Sequence, residues 1–339
     1  MIAARLTAQL LSGPPASDPL AVARRLLAIQ GQDPRGARLA VRARSEGLTA
    51  DDVDRALSED RSLLITWLNR GTLHLVASED YPWLQSLTAP PHLTSTLRRM
   101  AQEGVSPGAA ERGLAAITAA LAEDGPLTRE QLGARIEAAG VRTEGQALIL
   151  ILALACLRGL AVRGPVVEGR HAYALVRDWL SEPLAVDRER ALAELARRYL
   201  AGHGPAKDRD LAKWAGLPLR DVRAGLTAIA SELDERDNGV VDLRSRGADA
   251  GELPAPKLLG AFDPVLLGWS SRDALLGRNA RRVVAGGILR SFALVAGRAA
   301  ATWRMPEGRV EVEPFEALSA ADAAGLEAEA VDVVRFLNA

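Results

Sequence analysis

Gln30, Gln32 and Asp33 are crowded into the segment Leu26-Leu-Ala-Ile-Gln-Gly-Gln-Asp-Pro-Arg35, with the two glutamines flanking Gly31. An amide is no base near neutral pH, but its carbonyl oxygen accepts a hydrogen bond from water while its NH2 donates another. Two amides one residue apart can therefore hold a water between them, and Asp33 is the adjacent carboxylate. A structural reading competes with this one. Gln at a helix end satisfies free carbonyls, Gly31 suits the position after a helix, and Asp33 followed by Pro34 suits the start of the next.

Other chemistry is sparsely represented. There is no P-loop, no HExxH and no Rossmann GxGxxG. Gly104-Val-Ser-Pro-Gly108 spells G-x-S-x-G, but a polar, helical stretch precedes it where a nucleophile elbow needs a buried strand, so it reads as a loop. His74, His92, His171 and His203 are scattered, and the single cysteine, Cys156, lies in an apolar run, so neither a disulfide nor a metal site is expected. Glu311 and Glu313 share a strand face and read as solvated. No cofactor is expected.

The elements that position these groups follow from local signals. Asp18-Pro19 opens a helix with Leu20, Ala23, Leu26 and Leu27 as apolar positions and Gln30 at its end, a second starts near Gly36, and Thr49 with Asp52 caps a third. Thr72 to Val76 reads as a strand, on which Thr72 and His74 alternate with Leu73 and Leu75 and so face a groove beside Arg70. Ser78 is expected to cap the helix that follows. Thr128 with Gln131 forms a capping box, Glu144 to Leu157 reads as a buried helix, and a hairpin turns at Gly164 to Gly169. Three helices and a hairpin are the order of a winged helix-turn-helix. The order recurs from Glu189 to Leu243, with Asn238-Gly239 at the hairpin turn. The remainder is rich in Val, Ala and Gly, reads as β structure, and ends in a helix from Ala320 to Leu337.

The expected class is thus α+β, mainly α with β-hairpin wings, in four segments: 1–108, 109–182, 183–250 and 251–339. The apolar run Ala147–Leu157 has 11 residues, short of the about 20 that span a bilayer, and the start lacks a signal-peptide pattern. A cytoplasmic, monomeric protein without a membrane partner is expected.

The net charge of −1 over 339 residues conceals a separation. Residues 1–44 carry +5, residues 272–309 carry +6, and residues 310–339 carry −6. Two basic segments beside repeated winged helices point to nucleic acid. Arg281, Arg282 and Arg304, read as parts of a basic β-hairpin segment, are candidate phosphate contacts, as is Arg35. Asp263 and Arg272 bracket an apolar stretch, where a salt bridge or cap competes with a groove-facing role. His203 reads as a loop residue. Only Lys207, Lys213 and Lys257 are lysines, against 39 arginines, so amine nucleophiles are scarce.

Five stretches resemble the winged-helix DNA glycosylases of the AlkZ type and their YcaQ-type relatives. They are Ile29-Gln-Gly-Gln-Asp-Pro-Arg35, Thr66-Trp-Leu-Asn-Arg-Gly-Thr-Leu-His-Leu-Val76, Tyr199-Leu-Ala-Gly-His-Gly-Pro-Ala206, Phe262-Asp-Pro-Val-Leu-Leu-Gly-Trp269 and Ala301-Thr-Trp-Arg304. They fall in the family's order and cover nearly the whole chain. The resemblance implies three tandem winged-helix units in a C-shaped arrangement with a C-terminal β-rich part. It implies hydrolysis of the N-glycosidic bond of N-alkylated purines in double-stranded DNA, such as N7-alkylguanine, bulky genotoxin adducts or interstrand cross-links, in bacterial repair or self-resistance. It places catalysis on Gln30 and Gln32, although Gly31 stands where the family often has an aliphatic residue. It also keeps His203 in view as groove-facing.

An N7-alkylated guanine already carries a positive charge and leaves without a protein acid, so general acid–base catalysis is partly dispensable. Two amides then suffice to set a water against the sugar and to stabilise charge developing there, with Asp33 as support. The competing reading is a non-catalytic winged-helix DNA-binding protein, either a transcription regulator or a lesion-binding factor. Such a protein has no need of Gln30 and Gln32.

Overall fold

The structure is a computed structural model describing residues 1–167, 169–180, 186–247 and 251–338. The expected boundary at 182/183, residue 250 and Glu168 in the expected turn lie outside the described residues. The chain forms two compact units, one of Met1–Val53 with Glu189–Ala339 and one of Asp54–Arg188.

In the continuous unit, helices and strands alternate as their local signals dictate. Strands Leu63–Trp67 and Leu73–Ala77 pair antiparallel about the turn at Asn69–Gly71, where Arg70 takes a φ of 57°. Helices Tyr81–Thr88, Pro90–Gln102 and Pro107–Asp124 follow. Ser106 caps the last of these, its Oγ accepting from Ala109 N at 3.2 Å, which settles the G-x-S-x-G string as a helix start. Helix Arg129–Ala138 opens on the expected capping box, with both Thr128 and Gln131 hydrogen bonds formed.

Helix Ala147–Leu157 is buried almost throughout. Its Cys156 thiol is pushed up to about 12 by burial, so it remains a protonated core residue. Strands Ala161–Val167 and Arg170–Leu175 form the next hairpin. The two hairpins join, Ile65 pairing with Arg163, and Leu127–Thr128 adds to the far edge against Arg170–Leu175. One antiparallel sheet therefore serves the hairpins of both the 1–108 and the 109–182 segments.

Ser78 does not cap a helix. Its Oγ donates to Arg61 O at 2.6 Å, and a short 3-10 turn, Ser78–Asp80, comes before helix Tyr81–Thr88.

In the discontinuous unit, helix Pro19–Leu26 is capped by Asp18, which accepts from Ala21 N at 2.7 Å. Helix Arg188–His203 is followed by Asp208–Ala215, Leu219–Ala228 and the hairpin Leu233–Arg236 with Val240–Leu243. Gly202 makes close approach possible, because a Cβ there would collide with the carbonyl oxygen of Arg25. A four-stranded antiparallel sheet runs in the order Glu311–Pro314, Arg298–Arg304, Phe292–Val295, Lys257–Leu259, and helix Ala320–Asn338 packs on it. The fold is mixed α+β with antiparallel sheets. No helix among the described residues is long and apolar enough to cross a membrane.

Candidate functional site

The segment carrying the two glutamines is shaped from both ends. Helix Pro19–Leu26 stops at Leu27, whose φ of 64° is costly for a branched residue. Its fully buried side chain holds that conformation. The left-handed turn expected at Gly31 therefore falls earlier, because core packing rather than glycine ends the helix. The chain then extends through Ile29–Gln30, so Gln30 does not sit at a helix end. Asp33 caps helix Pro34–Arg42 as expected, its Oδ1 accepting from Gly36 N at 2.9 Å. A Cβ on Gly36 would collide with Ala261 O, so glycine lets this helix seat against the Ala261 segment.

Gln30 is buried and Gln32 exposed, and the Gln30 Nε2 donates to the Gln32 Oε1. The two amides thus share one polarised unit: donating through its NH2 strengthens the partial negative charge on the Gln30 carbonyl oxygen, and accepting does the same for the donor character of the Gln32 NH2. The N-terminus of helix Pro34–Arg42 adds positive potential beside them.

A groove of about 780 Å³ opens next to this segment. Asp33 and Arg35 line it together with Arg290, Arg304, Glu311 and Glu313. Arg304 makes an exposed ion pair with Glu311 at 2.7 Å, the kind that contributes about 0–1 kcal/mol and exchanges readily for another anion. Arg290 was not singled out by motif reasoning; its only signal is membership of the basic segment. Arg281 and Arg282 lie on a short helix, Ala280–Val283, rather than on a β-hairpin, and both are exposed. The turn at Gly286-Gly287 confines the strand pairing to Val284–Ala285 with Ile288–Leu289. Arg282 stacks over Phe315 at 5.0 Å.

Of three expected groove-facing residues, Asp263 and His203 belong to the interior instead and Arg272 is half-buried. Asp263 is fully buried, accepts from Arg44 at 2.8 and 2.9 Å, and caps the turn Pro264–Leu266. The salt bridge and the cap are both realised. Arg272 is half-buried and donates its Nε to Leu266 O. His203 closes helix Arg188–His203, fully buried, its ring stacked on Tyr199 at 4.9 Å and beside Trp214, and its carbonyl accepts from Trp269 Nε1 at 2.8 Å. Four residues apart on one helix, Tyr199 and His203 lie on the same face, so their rings stack.

In the other unit, Arg70 and Thr72 are half-exposed at the hairpin turn, but His74 is buried. Strand alternation therefore does not bring it to an open groove, since both faces of Leu73–Ala77 are covered. Its Nδ1 donates to Thr72 O at 3.0 Å, which leaves Nε2 to accept from Arg70 Nη2 at 3.5 Å. Burial, with the charge of Arg70 added, pushes its pKa down to about 3, so His74 is neutral. Among the described residues no group of three or more His, Cys, Asp or Glu side chains could hold a metal ion.

The groove beside the paired-amide segment thus sets Arg35, Arg290 and Arg304 against Asp33, Glu311 and Glu313. Residues 23–336 match the family described as DNA glycosylase AlkZ-like, and the chain belongs to that family. It is therefore a DNA glycosylase, which decides between the enzyme and the non-catalytic DNA-binding protein. The chain is 28% identical over 353 aligned residues to the interstrand DNA cross-link repair glycosylase of Streptomyces sahachiroi, covering 95% of this chain and 91% of that one. Its fold is similar to that of the Streptomyces sahachiroi DNA glycosylase AlkZ, with a TM-score of 0.81 at 24% identity over 98% of this chain and 95% of that one.

Proposed function

We propose that the protein is a monofunctional glycosylase that hydrolyses the N-glycosidic bond of N-alkylated purines in duplex DNA, N7-alkylguanine among them. The observation that carries this is the direct hydrogen bond from Gln30 to Gln32 at the start of helix Pro34–Arg42. Together the two amides orient a water toward the anomeric carbon and turn carbonyl dipoles on the cationic sugar of the transition state. The alkylated base is already cationic and leaves neutral, taking the bonding electron pair. The water's oxygen bonds to the sugar carbon, and its proton passes to solvent.

Asp33 lines the groove while one of its oxygens caps the helix, which suits it to charge stabilisation rather than proton removal. Arg35, Arg281, Arg282 and Arg304, with Arg290 added, hold backbone phosphates; Arg70 and Thr72 supply further contacts from the other unit. Attack by water rather than an amine accords with the lysines. Lys213 donates to Ser270 O at 2.9 Å, Lys257 pairs with Glu329 at 3.4 Å, and none of the three lysines lines the groove.

The name of the curated relative extends the reading to interstrand cross-links, in which N7-alkylated purines of both strands are tethered. We also read segments 1–108, 109–182 and 183–250 as winged-helix units and 251–339 as the β-rich subdomain, in a cytoplasmic monomer. The test is an oligonucleotide duplex with one N7-methylguanine. Wild type is expected to release the base and leave an alkali-labile site, with no borohydride-trapped adduct. Tight binding without base release would overturn the reading.

A further inference from the structure

We propose that a second cleft, formed by Arg24, Arg25, Arg198 and Arg246, docks the phosphodiester backbone of duplex DNA. The proposal rests on the reading of duplex DNA as substrate and adds a contact away from the Gln30 groove.

The cleft measures about 560 Å³ and lies within the discontinuous unit. Arginines from three elements line it together with Ser245, no carboxylate is among its described lining residues, and Arg198 pairs with Glu194 of its own helix at 3.7 Å. Arg24 and Arg25 occupy the last turn of helix Pro19–Leu26, Arg198 comes from helix Arg188–His203, and Arg246 follows the hairpin Val240–Leu243.

The walls are fixed by hydrogen bonds between these elements. Arg198 Nη2 donates to Arg24 O at 2.9 Å. Arg246 Nη2 donates to Leu200 O at 2.7 Å and Ala201 O at 3.0 Å, while its Nε donates to Asp242 at 3.0 Å. Asp242 also serves Arg236 at 3.0 Å, so one carboxylate faces two guanidinium groups. Arg25 is partly desolvated and feels the like charge of Arg246, both of which lower its pKa.

Folding has therefore gathered four guanidinium groups around an open cleft, Arg24 and Arg25 exposed and Arg198 and Arg246 half-buried, an excess of like charge that a bound anion relieves. Guanidinium forks match phosphate oxygens in pairs. A rigid cleft presenting several of them, with a hydroxyl beside them, fits a backbone phosphate. The position also has a use: Arg25 is followed within five residues by Gln30, through the buried, left-handed Leu27. A phosphate gripped at the end of this helix helps to set the register of the strand relative to the amide pair.

The experiment measures binding of undamaged duplex DNA by fluorescence anisotropy from 50 to 300 mM salt, using the full chain. Each phosphate contact contributes about 0.9 to the slope of log affinity against log salt. Arg24→Ala/Arg25→Ala is expected to flatten that slope by about one to two and to weaken binding severalfold at low salt. Arg24→Lys/Arg25→Lys is expected to keep most of it. Should the alanine pair lower the melting midpoint, the single Arg25→Gln variant takes its place, with a change of about one expected.

An unchanged slope overturns the proposal, as does displacement of inorganic phosphate without any change in duplex binding. Unchanged slope with normal base release by wild type removes this cleft alone. A wild-type protein that neither binds duplex nor releases base removes the DNA reading and this proposal together.

Discussion

Gln30, buried, donates its side-chain amide to the exposed Gln32 across Gly31, so the two amides act as one hydrogen-bonded pair. Removing either member breaks the pair. Gln30→Ala and Gln32→Ala are each expected to slow base release about 10²–10³-fold, the range for losing one preorganised electrostatic group. The double variant should fall little further, because groups that act as a unit are not additive. Single-turnover release from an N7-methylguanine duplex measures this. Independent, multiplicative losses would contradict the paired-amide reading.

The fully buried pair Arg44–Asp263 ties the end of the motif helix to the turn Pro264–Leu266. Breaking it strands a charge in the core, so Asp263→Leu is expected to destabilise the protein by about 3–5 kcal/mol. Replacing both partners, Arg44→Met with Asp263→Leu, should recover much of that loss. Urea unfolding of the three proteins makes the comparison.

Gly36→Ala is expected to lower stability by about 1–3 kcal/mol, the usual cost of overpacking. The added methyl meets the rigid Ala261 carbonyl rather than a flexible side chain. Since Asp33 and Arg35 flank Gly36, base release should fall as well, whereas stabilisation by the better helix former would argue against the tight contact.

His74 gives a pH dependence with a definite sign. Its folded pKa is pushed to about 3 from the usual 6.5. The unfolded chain takes up a proton below the upper value while the folded protein does not. The contribution to stability is intact above pH 6.5 and is lost as pH falls toward 3, by an amount on the order of a few kcal/mol. Unfolding measured between pH 7 and 4 should show a shallower decline in His74→Asn than in wild type.

Arg304 lies at the exposed end of the range. Arg304→Ala should change stability by less than about 1 kcal/mol. Duplex affinity should weaken with a salt slope flatter by about 0.9 if it contacts one phosphate. Anisotropy titrations at several salt concentrations read this directly.

What was legible in the sequence was local. Asp18-Pro19, Asp33-Pro34 and Thr128 with Gln131 announce helix starts because the cap and its target lie three residues apart. The hairpin turn at Asn238-Gly239 is legible from its residue types, whereas strand Ala161–Val167 continues through Gly164 and Pro165, where those residues predict a turn. What stayed hidden depends on distant partners. Asp263 finds Arg44 at a separation of 219 residues, and Ile65 meets Arg163 to merge two hairpins into one sheet. Strand alternation sends His74 outward only when one face is open, and here neither is. Leu27 adopts a left-handed backbone because the core demands its side chain, a choice that no propensity reveals. The Gln30 segment was found by its composition, but its hydrogen bond and the neighbouring Arg290 came only from the fold.

The C-terminal helix grips the motif helix: Arg42 donates to Glu329 at 2.6 Å and to Asp332 at 2.9 Å, the latter 290 residues downstream. At ribosomal speeds of roughly 5–20 residues per second, that interval takes about fifteen to sixty seconds. The glutamine pair thus emerges from the ribosome well before the clasp beneath its helix can close. A nascent chain therefore has the glutamine segment long before it has the carboxylates that hold the following helix, so this part of the fold orders only after Glu329 and Asp332 have been made.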